Sequence, residues 1–347
     1  MRWDKLLYRK TIINYLLYPF SLSFSLILVM RRKAYQTGIF SSFKADIKTI
    51  SVGNIVSGGS GKTPFTIYLA KLLTLRGYKV AVSHRGYKGK YEKTNLLISD
   101  REKLRYDCPQ AGDEAILIAR KLSGIPVIVG RDRKRSIIIL QNEFPDLDLI
   151  ILDDSFQHLK VRKDLEFVLF NSQTKLGNGF VLPAGILREP IKALYQSDCL
   201  VYNGTDEVPG ILQRFNKKII RVDYQMFNIT LPNGETLSPD SLKDKRIALI
   251  SGIGQPRSFE QTVTMAGLKY EKHFCFPDHY DYQDNKKLER MIQEIKNRFD
   301  LLLTTEKDFI KINKYSDSLP LASVNIELES PDEELLIMLC EEKLLQI

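Results

Sequence analysis

A glycine-rich turn near residue 55 lies between a strand-like and a helix-like segment. Ser51–Pro64 reads Ser-Val-Gly-Asn-Ile-Val-Ser-Gly-Gly-Ser-Gly-Lys-Thr-Pro; the strand-like Lys48–Val52 leads into it, and the helical pattern Phe65–Leu73 follows it. Glycines let backbone N–H groups converge on a phosphate, and the start of the next helix adds a positive end. Lys62 can reach the β- and γ-phosphates, and Thr63 can hold Mg²⁺. The sequence therefore predicts a phosphate loop that binds a nucleoside triphosphate.

The loop departs from the strict G-x-x-x-x-G-K-[ST] pattern at one position, because Val56 stands where the pattern has glycine. Neighbouring glycines supply the flexibility instead. A glycine-rich turn without a ligand is the alternative, but the helical pattern after Gly-Lys-Thr favours a phosphate loop. The residues predicted to bind the nucleotide are Val56, Ser57, Gly58, Gly59, Ser60, Gly61, Lys62 and Thr63.

Strand-like and helix-like segments alternate along the rest of the chain, which is typical of a largely parallel sheet covered by helices. From Lys218 an extended segment and a Pro-Asn-Gly turn signal predict a hairpin-like linker, and a second, smaller alternating series follows. We therefore expect an α/β protein with two domains. The expected ranges are 1–35 for an N-terminal helix, 36–217 for the phosphate-loop domain, 218–240 for the linker and 241–347 for the smaller domain.

Most of the net charge of +9 lies at the N-terminus, since residues 1–33 hold seven Lys or Arg against one Asp. This distribution argues against nucleic acid as a partner. The charges flank the uncharged segment 11–30, which is long enough to span a bilayer as a helix. Pro19, several hydroxyl groups and basic residues at both ends favour attachment to an anionic cytoplasmic membrane surface over a simple span. An ordinary buried helix is the alternative.

Two carboxylates end another strand-like segment. Asp153 and Asp154 follow the apolar residues 149–152, an arrangement that phosphate-transfer proteins use to hold Mg²⁺ beside the phosphate loop. A solvated pair of loop residues is the alternative, but the glycine loop earlier in the chain makes the metal interpretation more specific.

Several single residues give weaker signals. Arg85 lies in a basic, glycine-containing loop that would suit an anionic group, although a solvated loop fits the spacing nearly as well. Asp113 opens a helix-like segment, where its ordinary role is an N-terminal cap. Arg188 and Glu189 lie in a loop bracketed by prolines, and His279 lies in a turn of the second domain. None of these signals assigns a function alone.

The cysteines Cys108, Cys199, Cys275 and Cys340 are scattered, with no C-x-x-C spacing. This pattern predicts neither a zinc site nor a disulfide framework, and it favours a reducing compartment. We expect the four residues to be buried and apolar in character.

Together and in their order, the motifs resemble those of the bacterial tetraacyldisaccharide 4'-kinases, which phosphorylate the lipid A precursor. Ser155 stands where glycine is usual in that family, and Gln255 where asparagine is usual. The segments that carry the resemblance span nearly the whole chain and are residues 53–64, 85–87 (Arg-Gly-Tyr), 112–114 (Gly-Asp-Glu), 153–158, 182–190, 252–256, 276–280 (Phe-Pro-Asp-His-Tyr) and 303–308.

The resemblance implies two α/β/α sandwich domains, a two-stranded hinge and an N-terminal membrane-associated helix. It implies phosphorylation of the 4'-hydroxyl of a tetraacyldisaccharide 1-phosphate by ATP with Mg²⁺, at the cytoplasmic face of the inner membrane and with no obligate protein partner. Lys62 and a base formed by Asp113 with His279 are the implied catalytic groups. The implied metal ligands are Thr63, Asp153, Asp154 and Glu189, and the implied contacts to the lipid substrate are Arg85, Gln157, His158 and Arg188.

Because Asp113 and His279 fall in different expected domains, closure about the linker is expected to assemble the base and exclude water. Two other functions stay open. One is a membrane-associated nucleotide switch or metallochaperone-type GTPase, but such loops begin with an extra lysine where this chain has Ser57, and Thr305–Asp308 matches a guanine-reading motif imperfectly. ATP is therefore favoured over GTP. The other is a non-catalytic binding protein whose glycine loop serves only as scaffold.

Overall fold

The computed structural model describes residues 8–86, 89–106, 111–278, 280–282 and 285–344. The chain divides into two compact units. The first runs to Asp223 and resumes at Ser330, and the second is Tyr224–Glu329. This division differs from the expected ranges at the C-terminal end, because the residues from Ser330 onward group with the first unit.

Helices and strands alternate through both units. The helices are α1 Ile12–Gln36, α2 Lys62–Leu75, α3 Asp113–Lys121, α4 Arg133–Glu143, α5 Gly210–Gln213, α6 Pro256–Met265, α7 Asn285–Arg298, α8 Glu306–Ile312 and α9 Glu333–Leu344. The strands are β1 Phe43–Lys44, β2 Lys48–Gly53, β3 Val80–His84, β4 Leu96–Ser99, β5 Val127–Val129, β6 Leu149–Asp153, β7 Val161–Arg162, β8 Leu165–Asn171, β9 Cys199–Asn203, β10 Lys218–Thr230, β11 Thr236–Leu237, β12 Ile247–Ser251, β13 Lys272–Cys275, β14 Leu301–Thr305 and β15 Leu321–Glu329.

The first unit contains a sheet in the order β10-β9-β8-β2-β6-β3-β5-β4. Its strands pair in parallel, apart from the edge strand β4, which is antiparallel to β5. The register places Val52 of β2 opposite Asp153 of β6, and Ser83 of β3 opposite Leu152. The carboxyl ends of β2, β3 and β6 therefore lie side by side, where parallel sheets collect their ligands.

Helix α2 packs on this sheet through an apolar side that includes Phe65, Leu69 and Leu73, all fully buried. The chain enters the loop before α2 through Gly53, where an added Cβ would lie 2.5 Å from the Cβ of Phe156. Only glycine fits there, so the close approach of the loop entry to residue 156 requires this part of the motif.

Helix α1 lies against the rest of the first unit, and polar residues make part of the contact. Asn14 Nδ2 donates to the Ala184 carbonyl at 2.7 Å, and Ser21 Oγ accepts from the Ala184 amide at 2.9 Å. Only 11 % of the most apolar 18-residue stretch of α1 is buried, so the alternative of an ordinary buried helix is wrong. By length and composition α1 could cross a membrane. The exposed apolar residues include Ile12, Leu16, Phe20, Leu22, Leu26, Ile27, Val29 and Met30.

The second unit has the strand order β13-β12-β14-β15, with β10 next to β15 and β11 antiparallel to β10. The strands β13, β12, β14 and β15 pair in parallel. The turn predicted at Pro232–Gly234 joins β10 to β11, and the Leu231 amide donates to the Glu235 carbonyl at 2.8 Å. Both units thus confirm the predicted α/β class, although the sequence did not predict β1, β4, β7 or β15.

Candidate active site

The phosphate loop has a short β-type pairing at the position where its motif lacks glycine. Val56 is buried and forms an antiparallel bridge with Leu187. A side chain is therefore accommodated at this position, and it packs in the apolar core of the unit. The backbone is left-handed at Gly58, with φ of 111°, and at Gly61, with φ of 85°. At Gly58 and Gly61 the backbone conformation therefore favours glycine.

Two asparagines hold the loop in shape. Asn54 Nδ2 donates to the Val56 carbonyl at 2.7 Å and to Ser60 Oγ at 2.8 Å. Asn171 Nδ2, at the end of β8, donates to the Gly59 carbonyl at 2.6 Å. These bonds turn loop carbonyls towards side-chain amides, so the loop is preorganised by its own chain.

The N-terminus of α2 carries neither a side-chain cap nor an acidic residue in its first turn. By contrast, Asp132 caps α4 by accepting from the Arg135 amide at 3.2 Å. The first amides of a helix lack intrahelical partners and carry partial positive charge. The start of α2 at Lys62 is therefore suited to an anion such as a phosphate group.

Asp153 lies at the end of β6 and is surrounded by hydroxyl and amide donors. Its Oδ2 lies 3.4 Å from Thr63 Oγ1, and its Oδ1 accepts from Thr66 Oγ1 at 3.2 Å and from the Asp154 amide at 2.9 Å. Burial raises the pKa of Asp153 despite the opposing effect of His84. This carboxylate is therefore short of compensating positive charge.

Asp154 faces two cationic side chains. Its Oδ1 lies 3.5 Å from Lys62 Nζ and 3.2 Å from Arg188 Nη1. Burial would raise the pKa of Asp154, but Lys62 and Arg188 outweigh it, and the pKa is lowered. The two adjacent acids therefore have different electrostatic environments, a distinction that the sequence did not resolve.

His84 ends β3 and faces two carboxylates. Its Nδ1 accepts a hydrogen bond from the Gly86 amide at 2.9 Å, so in the neutral ring the proton lies on Nε2. Nε2 lies 3.6 Å from Asp153 Oδ2 and 3.5 Å from Glu114 Oε2, at the start of α3. The ring thus connects the acid at the end of β6 with the first turn of α3.

Arg133 is fully buried beneath the same acids. Its Nη1 donates to Ser83 Oγ at 3.1 Å, and its Nη2 donates to the Asp153 carbonyl. Burial lowers the pKa of Arg133 to about 10, although Asp153 and Asp154 oppose the shift, so the side chain stays charged at neutral pH. Sequence reasoning assigned no role to His84 or Arg133. The available signal was that His84 ends one buried strand and that Arg133 comes shortly after another, and both strands end at this sheet edge.

Two further residues implied by the resemblance, Glu189 and Arg85, contact side chains other than the two aspartates. Glu189 is buried, and its Oε2 lies 2.5 Å from Arg32 Nη2 of α1. Burial raises the pKa of Glu189, and Arg32 opposes the shift. Arg85 Nε donates to Glu92 Oε1 at 2.9 Å. No contact described here joins Glu189 to the two aspartates, so its predicted metal role stays a prediction.

Gln157 and His158 follow the two acids. Gln157 Nε2 donates to the Asn54 carbonyl at 2.6 Å, which ties this segment to the phosphate loop. Burial, with a smaller contribution from Arg133, lowers the pKa of His158 to about 4. His158 is therefore neutral at physiological pH and would meet a ligand as a hydrogen-bonding group rather than as a cation.

The predicted catalytic pair is only partly described. Asp113 is the first residue of α3, and Gly112, not Asp113, occupies the N-cap position. The side chain of Asp113 and the whole of His279 lie outside the described residues. Their joint role as a base stays a prediction.

Known proteins match this chain along nearly its whole length. The family Tetraacyldisaccharide-1-P 4'-kinase (LpxK) matches residues 13–344. The tetraacyldisaccharide 4'-kinase of Syntrophus aciditrophicus is 35 % identical over 336 residues, which cover 90 % of this chain and 88 % of that protein. That of Methylobacillus flagellatus is 35 % identical over 312 residues, covering 89 % and 87 %.

A crystal structure of LpxK from Aquifex aeolicus in complex with ATP has a TM-score of 0.77 and 30 % identity to this chain, covering 96 % of it and all of that protein. The sequence motifs, the fold and these relatives agree. The chain therefore belongs to the tetraacyldisaccharide 4'-kinase family.

Proposed function

We propose that this chain transfers the γ-phosphoryl group of ATP to the 4'-hydroxyl of a tetraacyldisaccharide 1-phosphate in lipid A synthesis. One observation carries the proposal: at one edge of the sheet, the phosphate loop with Lys62 lies in contact with the two aspartates. The chain that has this arrangement is a member of the kinase family. The complex of the Aquifex aeolicus protein with ATP supports ATP as donor. The GTPase alternative is not favoured, because the matching family and the relatives from Syntrophus aciditrophicus and Methylobacillus flagellatus are named as tetraacyldisaccharide 4'-kinases.

The loop and helix α2 supply the phosphate cradle in this proposal. Loop amides and the uncapped start of α2 bind phosphate oxygens, and Lys62 places a cation beside them. These groups are fixed before the substrate arrives, so little reorganisation is needed when charge spreads over the transferred group. Arg188, now 3.2 Å from Asp154, is a second cation available to that charge.

The residues around Asp153 fit a magnesium ion. Asp153 and Thr63 provide hard oxygen donors in contact with one another, and the buried Asp153 carboxylate lacks full charge compensation. Thr63 and Asp153 would hold the ion, with Asp154 beside them as the partner of Lys62. Bound there, Mg²⁺ would neutralise phosphate charge and orient the phosphoryl group.

Asp113 is the proposed general base, with His279 as its orienting partner. A sugar hydroxyl is a poor nucleophile at neutral pH, so removal of its proton by a positioned carboxylate assists attack on the phosphoryl group. The position of α3 supports the proposal, since Glu114, the residue after Asp113, lies 3.5 Å from His84 at the acid cluster. For the lipid headgroup we propose contacts from Arg85, Gln157 and the neutral His158.

We also propose that α1 binds the cytoplasmic face of the inner membrane. The polar residues Asn14 and Ser21 of α1 hydrogen-bond to the rest of the first unit, whereas many of its apolar side chains are exposed. A helix in water normally has the opposite arrangement. An acylated substrate resides in a membrane, so an outward apolar face with basic neighbours such as Arg31 and Lys33 suits the task.

The proposal is tested by incubating purified protein with Mg-ATP and tetraacyldisaccharide 1-phosphate, then locating the added phosphate by mass spectrometry. We expect phosphorylation at the 4' position, with ATP preferred to GTP. Lys62→Ala should lower the rate by about 1000-fold, because it removes a cation from the transferred phosphoryl group. Lys71→Ala, on the same helix, is the control and should keep near-normal rates. A product phosphorylated elsewhere, or a GTP-driven reaction, would overturn the proposal.

A further inference from the structure

A second cluster of metal-ligating side chains lies within the second unit. The carboxylate of Glu260, the imidazole of His273 and the thiol of Cys275 each offer one donor atom, and the three atoms lie within 4.8 Å of one another. Within the described part of the chain, no other group of three or more His, Cys, Asp or Glu side chains meets this spacing. None of the three is a predicted nucleotide, acid or lipid contact.

The local structure explains why the three side chains meet. His273 and Cys275 are two residues apart on β13, so their side chains project from the same face of the strand. Glu260 lies on α6, and its Oε1 is 2.8 Å from His273 Nδ1. The expectation that all the cysteines are buried is wrong for Cys275, which is exposed. Solvent therefore reaches the cluster at Cys275.

The remaining nitrogen of the imidazole already has a partner. His273 Nε2 lies 2.8 Å from Oγ of Ser251, a fully buried residue at the end of β12. Metal-binding histidines typically donate their second N–H to an oxygen atom of this kind, which sets the tautomer and aims the other nitrogen at the metal. Here that arrangement aims Nδ1 towards Glu260 Oε1, so a metal ion between them would take the place of the shared proton.

We propose that Glu260, His273 and Cys275 form a binding site for a zinc-class divalent cation. A carboxylate oxygen, an imidazole nitrogen and a thiolate sulfur are the ligands that Zn²⁺ uses, and the exposed side at Cys275 leaves the fourth position to water. Binding releases to solvent both the thiol proton and the proton between His273 Nδ1 and Glu260 Oε1, and bonds to the metal replace the hydrogen bond between these two residues. The occupied site links α6 to the edge strand β13.

Cobalt(II) alone is the probe, because a thiolate bound to Co²⁺ gives a charge-transfer absorption band in the near ultraviolet. Purified full-length protein is freed of metal with a chelator and titrated with Co²⁺. We expect the thiolate band to appear and then to disappear when Zn²⁺ is added, since Zn²⁺ binds such sites more tightly than Co²⁺. A magnesium-type oxygen site that takes up Co²⁺ gives no thiolate band, so the two sites are distinguished.

Cys275→Ser is the decisive variant, because the residue is exposed and the substitution is nearly isosteric. It should abolish the band, and Glu260→Gln should weaken Co²⁺ affinity by at least about tenfold. Glu271→Gln, which removes the same charge from an exposed residue beside β13, is the matched control and should keep the wild-type band. The proposal is overturned if wild-type protein shows no thiolate band, or if the band persists in Cys275→Ser and so comes from another cysteine.

Discussion

Helices α1 and α2 both belong to the first unit, but they place polar and apolar side chains on opposite sides. Helix α2 buries Phe65, Leu69 and Leu73 against the sheet. Helix α1 instead turns Asn14, Ser21 and Arg32 towards the protein, where each has a hydrogen-bond partner. In α2 the apolar side holds the helix in place and its N-terminus faces the acids, whereas α1 is attached by hydrogen bonds and an ion pair together with a few apolar contacts, such as Leu28 against the core and Tyr15 against Phe180.

The difference shows which surroundings each helix is built for. Full burial of a leucine side chain contributes about 1.5–3 kcal/mol, and α2 gains this from the core of its own unit. Many of the apolar side chains of α1 stay largely exposed, and they form a patch of the kind that marks a membrane or protein contact. The hydrocarbon of a membrane supplies the missing burial, which is the basis of our proposal for α1.

The largest effect is expected where α2 meets the acids. Asp153→Asn removes the buried carboxylate beside Thr63 and should lower kcat by about 1000-fold or more, because several kcal/mol of charge stabilisation on the phosphoryl group are lost. Steady-state kinetics with Mg-ATP measure the loss. Asp46→Asn changes the same charge at an exposed position and should keep the wild-type rate. Near-normal turnover in Asp153→Asn would show that the chemistry is not organised at this end of α2.

The next effect concerns the attachment of α1. Arg32→Met leaves the buried carboxylate of Glu189 without its cation and should reduce the free energy of unfolding by about 3–5 kcal/mol. Arg76→Met, at the end of α2, breaks the exposed pair with Glu334 and should cost less than about 1 kcal/mol. Urea denaturation measures both values. Equal losses would mean that α1 does not depend on its buried ion pair.

The loss in Arg32→Met should depend on pH in a defined direction. Burial raises the pKa of Glu189, and removing Arg32 takes away the cation that opposes this rise. A protonated carboxyl group needs no cationic partner, so the destabilisation should shrink as the pH falls through the raised pKa of Glu189. A loss that grows on acidification would contradict this account of the pair.

A smaller effect is expected at His84. Its Nε2 lies between Asp153, the acid beside the start of α2, and Glu114, in the first turn of α3. His84→Ala frees the Asp153 side chain from one of its neighbours and should raise the Mg²⁺ concentration for half-maximal rate by about 10–100-fold. Rates measured against Mg²⁺ at saturating ATP test this, with kcat at saturating Mg²⁺ reduced much less. His84→Gln retains an N–H donor and should recover part of the affinity. An unchanged Mg²⁺ dependence would assign the histidine to packing alone.

The sequence predicted those parts of the site that lie in continuous motifs. The glycine loop with Lys62 and the pair Asp153 and Asp154 each follow a buried strand, and the α/β alternation implied that these strands end at one edge. Glycine spacing also carries steric information, as at Gly53, where a Cβ would collide with residue 156. Local patterns of this kind can be read without knowing the tertiary structure.

The rest depends on contacts between distant segments. The pair Arg32 and Glu189 joins residues 157 positions apart, and nothing local to either residue indicates the other. The different environments of Asp153 and Asp154 follow from side chains of helix α2 and of the loop at Arg188, which tertiary packing brings beside the acids. Val56, which departs from the motif, is explained by its bridge to Leu187, a pairing that no sequence pattern predicts.

The smallest effect tests the outward side of α1. Leu16, 70 % exposed, and Leu75 at the end of α2, 86 % exposed, are both surface leucines of one unit. Leu16→Glu should weaken binding to vesicles of anionic and neutral phospholipid by about tenfold, because a charged group replaces a side chain that the membrane would bury. Leu75→Glu should bind vesicles as the wild type does, and both variants should keep the wild-type unfolding free energy to within about 0.5 kcal/mol. Sedimentation with vesicles measures the binding. Equal binding by the two variants would mean that the apolar side of α1 does not face the membrane, whereas a selective loss for Leu16→Glu follows only if the two helices are built for different surroundings.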